Sequence, residues 1–72
     1  MSEETSERLL SRIVRNPRLF NGRPCIRGMN IRVSEVKSLL IEQNLSFEEV
    51  LVKMPALEED DLRAVLLYSS LQ

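Results

Sequence analysis

The stretch NGRPCIRGMNIRV, Asn21 to Val33, carries Arg23, Arg27 and Arg32 together with both glycines of the chain, and Arg18 lies just ahead of it. Guanidinium groups fork onto carboxylate and phosphate oxygens, so such a segment reads as a contact surface for an acidic partner or for phosphates. It is not a phosphate loop, because the Gly-x-x-x-x-Gly-Lys-Ser/Thr spacing that lets backbone amides surround phosphate is absent. Cys25 is the sole cysteine and the chain has no histidine. A thiol nucleophile would therefore lack an evident base, and neither an intrachain disulfide nor a typical zinc site can be assembled. Cys25 reads as a small buried hydrophobe. The paired acids Glu48-Glu49 and Asp60-Asp61 are adjacent in sequence. On a helix, neighbours diverge by about 100° and do not converge on one substrate or metal. The expectation is a non-enzymatic chain without metal or cofactor.

The elements that must carry these residues belong to one domain, since 72 residues bury only about 60 to 65% of the surface that the unfolded chain exposes. Small cores need a supplement, and self-association or a partner is the one expected. The start MSEETSERLL is acidic and polar rather than basic and then apolar, and no apolar run approaches the roughly 18 residues of a membrane span. A cytoplasmic protein is expected. The net charge of −1 conceals a polarity: Arg8 to Lys37 holds eight basic residues against Glu35, a net +7, while Met1 to Glu7 carries −3 and Ser38 to Gln72 carries −5. Either the basic half meets an external anion, or the two halves neutralise each other within the fold or across a dimer.

Along the chain, residues 1–8 are expected as a flexible tail, 9–33 as a basic arm and 34–72 as three helices. Leu9, Leu10, Ile13 and Val14 suit one helical turn or a short strand, ended at Asn16-Pro17. Asn21-Gly22 is the pair favoured in a type I′ hairpin turn, and Pro24 keeps any following strand short or at an edge. Met29, Ile31 and Val33 alternate with Asn30 and Arg32, as in a short strand. A first helix is predicted over 34–43, with Ser34 as N-cap and Asn44 as its left-handed terminator. A second, over 47–54, starts at the capping box Ser46/Glu49 and stops at Pro55. The third, over 58–71, opens on Glu58-Glu59-Asp60-Asp61, acids that favour a helix start. Leu67, Tyr68 and Leu71 form a flank beyond its core face, a dimer interface in expectation. With turns of two to three residues, the fold class expected is mainly α, a three-helix unit resembling a helix-turn-helix with a short N-terminal β or extended arm.

The spacing of Arg12-Ile13, Asn16-Pro17, Gly22, Pro24, Ile26, Gly28, Ile31 and Val33, then Ser46 and Glu49, then Asp61, Leu62 and Tyr68, resembles the prokaryotic domain of unknown function family 433 over about residues 9 to 70. The resemblance implies an antitoxin-like protein that binds and neutralises a PIN-like toxin nuclease, with a fold related to DNA-binding helix-turn-helix domains. The chain departs from the family pattern in three places. The run Met29-Asn30-Ile31-Arg32-Val33 stands where Thr-Arg-Ile-Pro-Val is usual, which removes one Arg and puts Arg32 where Pro is common. Glu58 stands where a Ser or Thr cap is favoured, so the third helix is expected to lose a cap worth about 1 kcal/mol.

Two functional classes beside catalysis remain. Base readout by the third helix would bring four carboxylates onto a polyanion, with Arg63 alone opposing them, so DNA contact is expected from the basic arm of a dimer. Alternatively, Arg23, Arg27, Arg32 and Arg18 dock onto the acidic site of a nuclease, or pair with acids of their own chain. The leading expectation is the toxin-binding antitoxin, which also takes operator DNA as a homodimer; the other is an orphan helix-turn-helix-like DNA-binding regulator.

Overall fold

A computed structural model of the chain describes residues 3–18, 20–29 and 31–71. Among them the protein is mainly helical, with four α-helices and one two-stranded antiparallel sheet. Helix α1 (Glu3–Leu10) leads into β1 (Ile13–Arg15), which pairs with β2 (Pro24–Ile26) in the register Ile13 to Ile26, Val14 to Cys25 and Arg15 to Pro24. Helix α2 (Val33–Lys37) continues through a π-helical turn (Ser38–Glu42), followed by α3 (Phe47–Lys53) and α4 (Glu59–Ser70). The last helix is the hub, packing on α1, α2, α3 and β1.

The tail expectation is corrected over residues 3–8, which form most of α1; Met1 and Ser2 lie outside the described residues. An eight-residue helix is too short to persist by propensity, and this one is held by packing on α4, with Leu9 buried. The hairpin is real, but Asn21-Gly22 is not a two-residue turn: residues 16–23 join the strands, and the pair sits late in that loop with φ +56° and +78°. Both residues thus adopt the left-handed region that favours Asn and Gly. Where a third strand was expected after Gly28, a single bridge joins Cys25 to Arg32, and Asn30 lies outside the described residues.

A β-turn replaces that strand's start, closed by the Met29 amide donating to the Ile26 carbonyl at 3.1 Å with Gly28 at φ +76°. Among the described residues beyond Gly28 and its two chain neighbours, no atom lies within 4 Å of the place a Gly28 Cβ would take. Gly28→Ala is therefore expected to cost only the backbone strain, about 1–2 kcal/mol, and Gly28→Asn less, since Asn tolerates this region. Thermal unfolding measures both, and an unshifted G28A melt would contradict the turn.

The first predicted helix begins one residue early. Arg32, not Ser34, occupies the N-cap position with φ −77° and ψ 145°, and its amide donates to Glu35 Oε2 at 3.3 Å. That φ is one proline also adopts, so Arg fits where Pro is usual, and its N–H gains a partner that Pro could not use. Asn44 closes the π turn at φ +54°, as expected of it. At α3 the Ser46 Oγ accepts from the Glu49 amide at 3.2 Å, and the Glu49 carboxylate accepts from the Ser46 amide at 3.1 Å, the reciprocal box foreseen. The connections Gln43–Ser46 and Met54–Glu58 exceed the two to three residues expected. The second holds a turn after Pro55 that buries Leu57. Around α4 the core comprises Ile26, Val33, Val36, Leu40, Val50, Leu57, Leu62 and Val65.

Candidate functional site

The hairpin lies against the length of α4, so its arginines meet two different environments. At the hairpin's open end the Arg27 amide donates to the Arg12 carbonyl at 2.7 Å, while the Arg12 amide donates to Leu9. With its backbone clamped from both sides, Arg12 extends its guanidinium to the start of α4. One Nη1 donates to Asp61 Oδ1 at 3.0 Å; Glu58 Oε2 lies at 3.7 Å and Asp60 Oδ2 at 3.8 Å. Asp61 is only 2% exposed. Its other oxygen accepts the Glu58 amide at 2.9 Å, so both carboxylate oxygens are occupied.

As expected, the Glu58 side chain makes no cap hydrogen bond; instead Asp61 reaches back to the Glu58 amide while also holding Arg12. The hydrogen bond to Asp61 raises the Arg12 pKa above its ordinary value; desolvation opposes this, and attraction to Asp61, Glu58 and Asp60 adds to it. A raised cation pKa stabilises the fold fully below the unfolded value and is lost only as pH rises through the folded one. The Arg12 pair therefore holds throughout the neutral range. Arg63 bonds Asp60 at 2.8 Å and Glu59 at 3.0 Å, and these bonds raise its pKa as well. Its guanidinium also lies 5.9 Å over the Phe47 ring. Each of the four acids at the start of α4 thus lies within 4 Å of Arg12 or Arg63, an internal pairing that offsets half of their charge.

Towards the loop end of the hairpin, Arg15 Nη2 donates to the Tyr68 hydroxyl at 3.0 Å. Beside it a cleft of about 170 Å³ is lined by Arg23, Ser34, Lys37, Tyr68 and Ser69, next to Pro24 and Val33. Among the described residues no carboxylate lines it. Another cleft, at the hairpin's open end, brings Arg27 together with Arg8, Arg12, Glu58 and Asp61.

The arginines singled out by sequence are therefore not one cluster. Arg32 pairs with Glu35 at 3.0 Å at the start of α2. Arg27 lies beside the acidic end of α4, and Arg23 lies in the acid-free cleft. Arg18, Arg23 and Arg27 are exposed and, among the described residues, form no ion pair. Gly22 and Gly28 supply left-handed turns, Pro24 and Ile26 lie on β2, and Ser46 and Glu49 cap α3. Of the expected interface flank, Leu71 is 67% exposed, whereas Leu67 and Tyr68 are half-buried and Tyr68 packs on the core. Sequence reasoning passed over Arg12, Arg15, Lys37 and Ser69 as site residues. For Arg12 the usable signal was four acids beginning a helix beside a basic segment; the other three carry no local signal. Among the described residues no group of His, Cys, Asp and Glu is arranged to hold a metal ion, and no helix is long and apolar enough to cross a membrane.

Over residues 13–69 the chain matches a family model described as protein of unknown function, DUF433. No curated protein and no solved structure matches it.

Proposed function

The chain belongs to the DUF433 family of proteins of unknown function, and from that starting point we propose that it is a non-enzymatic, antitoxin-like protein whose hairpin arginines engage the acidic site of a PIN-like nuclease. The observation that supports this reading is the division of labour among the arginines. Arg12, Arg32 and Arg63 are engaged with acids of their own chain, while Arg18, Arg23 and Arg27 stand exposed along one hairpin without such partners among the described residues. Exposed guanidinium groups in the loop and at the end of a hairpin offer bidentate docking to a carboxylate cluster.

The packing of α2 and α3 on α4, and of α3 on the π-helical turn that follows α2, supports the finer reading of the fold as a helix-turn-helix-related trihelical unit, to which α1 and the hairpin are added. In that unit the start of α4 is acidic and internally paired, so operator DNA would be met by the hairpin, not by α4. Leu71, 67% exposed at the C-cap of α4 beside the half-buried Leu67 and Tyr68, supports a homodimer through this flank, in which two hairpins would act together. A cytoplasmic location accords with this role.

The test is co-purification from the native host at two salt concentrations, with bound protein and nucleic acid identified, for the parent chain and for Arg18→Ala/Arg23→Ala/Arg27→Ala. The triple variant is expected to keep the parent melting temperature and to lose the nuclease at least about tenfold in affinity. Equal capture of a nuclease by both chains, or capture of no nuclease by the parent, would sink the reading.

A further inference from the structure

We propose that the cleft between the hairpin, α2 and the C-terminal half of α4 is a binding site for a phosphate group, held by Arg23, Lys37, Tyr68 and Ser69. Every polar side chain lining this cleft can donate, and two of them are cations. Tyr68 accepts from Arg15 Nη2 through its hydroxyl oxygen, which leaves the phenolic proton available to donate onward. The Ser69 Oγ is buried without a hydrogen-bond partner among the described residues. A buried hydroxyl left in that state is costly, and helical serines usually bond back to a preceding carbonyl.

A ring of donors without an acid selects a ligand made of acceptors. Phosphate offers three strong acceptor oxygens at up to two negative charges, whereas a carboxylate offers two and would leave part of the ring unmet. The size agrees: at about 170 Å³ the cleft is smaller than the roughly 300–1,000 Å³ of small-molecule pockets, so it takes one head group. The end of α4 opposes an anion with roughly half a negative charge. Arg23 and Lys37 outweigh it with two whole positive charges, and Arg15 stands behind Tyr68. Independently of any nuclease partner, this site binds phosphate on the isolated chain.

The ¹⁵N-labelled full chain is titrated with inorganic phosphate against chloride at constant ionic strength. Amide and side-chain shifts are expected to concentrate on Arg23, Lys37, Tyr68 and Ser69. Ser69→Ala is expected to weaken binding about tenfold without lowering the melting temperature, since the free protein loses no hydrogen bond. Lys37→Ala weakens it similarly, while Lys53→Ala, an equal charge change on α3, leaves it unchanged.

A short oligonucleotide is then compared with inorganic phosphate. Tighter binding that the same variants weaken assigns the group to a nucleic-acid backbone, and equal binding assigns it to free phosphate. Undiminished phosphate binding by Ser69→Ala, shifts spread evenly over Arg18, Arg27 and Lys53, or displacement by a glutamate peptide at matching concentration would each overturn the site. Loss of nuclease capture in co-purification would not, so the two readings fail separately.

Discussion

Replacing Arg12 by Ala lowers the stability of the fold by about 2 kcal/mol. The side chain is about a third exposed, so the pair falls short of the 3–5 kcal/mol lost when a fully buried ion pair is broken. The deciding residue is its partner. Asp61 is 2% exposed and cannot recover hydration when the guanidinium goes. Its second oxygen is already committed to the Glu58 amide. On a domain of this size each kcal/mol moves the melting temperature by about 4–8 °C, so the expected drop is roughly 8–16 °C.

Arg12→Lys recovers only part of this, because a single ammonium does not span Asp61, Asp60 and Glu58 as the forked group does. In a double-mutant cycle with Asp61→Ala, the double variant is more stable than the sum of the two losses implies, by about 1–2 kcal/mol. An Arg12→Ala chain melting within a degree or two of the parent would mean that the start of α4 does not depend on this arginine.

The same pair marks the boundary of what sequence could say. Features set by neighbours were legible: the Ser46/Glu49 box spans three residues, and Asn21, Gly22 and Asn44 take the positive φ values their types favour. Arg12 and Asp61 are 49 positions apart, so no local spacing announces them; charge segregation told only that some basic residue would meet these acids. Helix α1 was missed for a related reason. Its stretch EETSERLL is too polar and short to be helical alone, and what holds it is α4, which lies at the other end of the chain. Arg32 is the opposite case. Its partner Glu35 is three residues away, so of the two alternatives read for this arginine, an external ligand or an acid of its own chain, the local spacing already favoured the second. The acid-free cleft joins β2, α2 and α4, and no one of these segments carries a signal for it.

Leu62→Ala on α4 is expected to cost more than any surface change, about 3 kcal/mol. Leu62 is 0% exposed and sits in the core with Ile26, Val36, Val50 and Val65. Removing three carbons there loses their transfer energy and leaves a cavity that helices joined by short connections cannot close. A chain of this length has a total stability of about 4–11 kcal/mol, so L62A uses up much or most of it and its melting temperature falls by roughly 12–24 °C. Leu71→Ala, nine positions on, removes the same atoms from a side chain 67% exposed and should leave the stability of the monomer nearly unchanged. The contrast separates core from interface on one helix. If α4 carries a homodimer contact, the parent melts higher as its concentration rises, because association stabilises only the folded state, and L71A loses that dependence while L62A merely melts lower at every concentration. A parent melt independent of concentration, or one whose dependence L71A retains, would move the dimer contact off this flank and leave Leu71 as an ordinary exposed leucine.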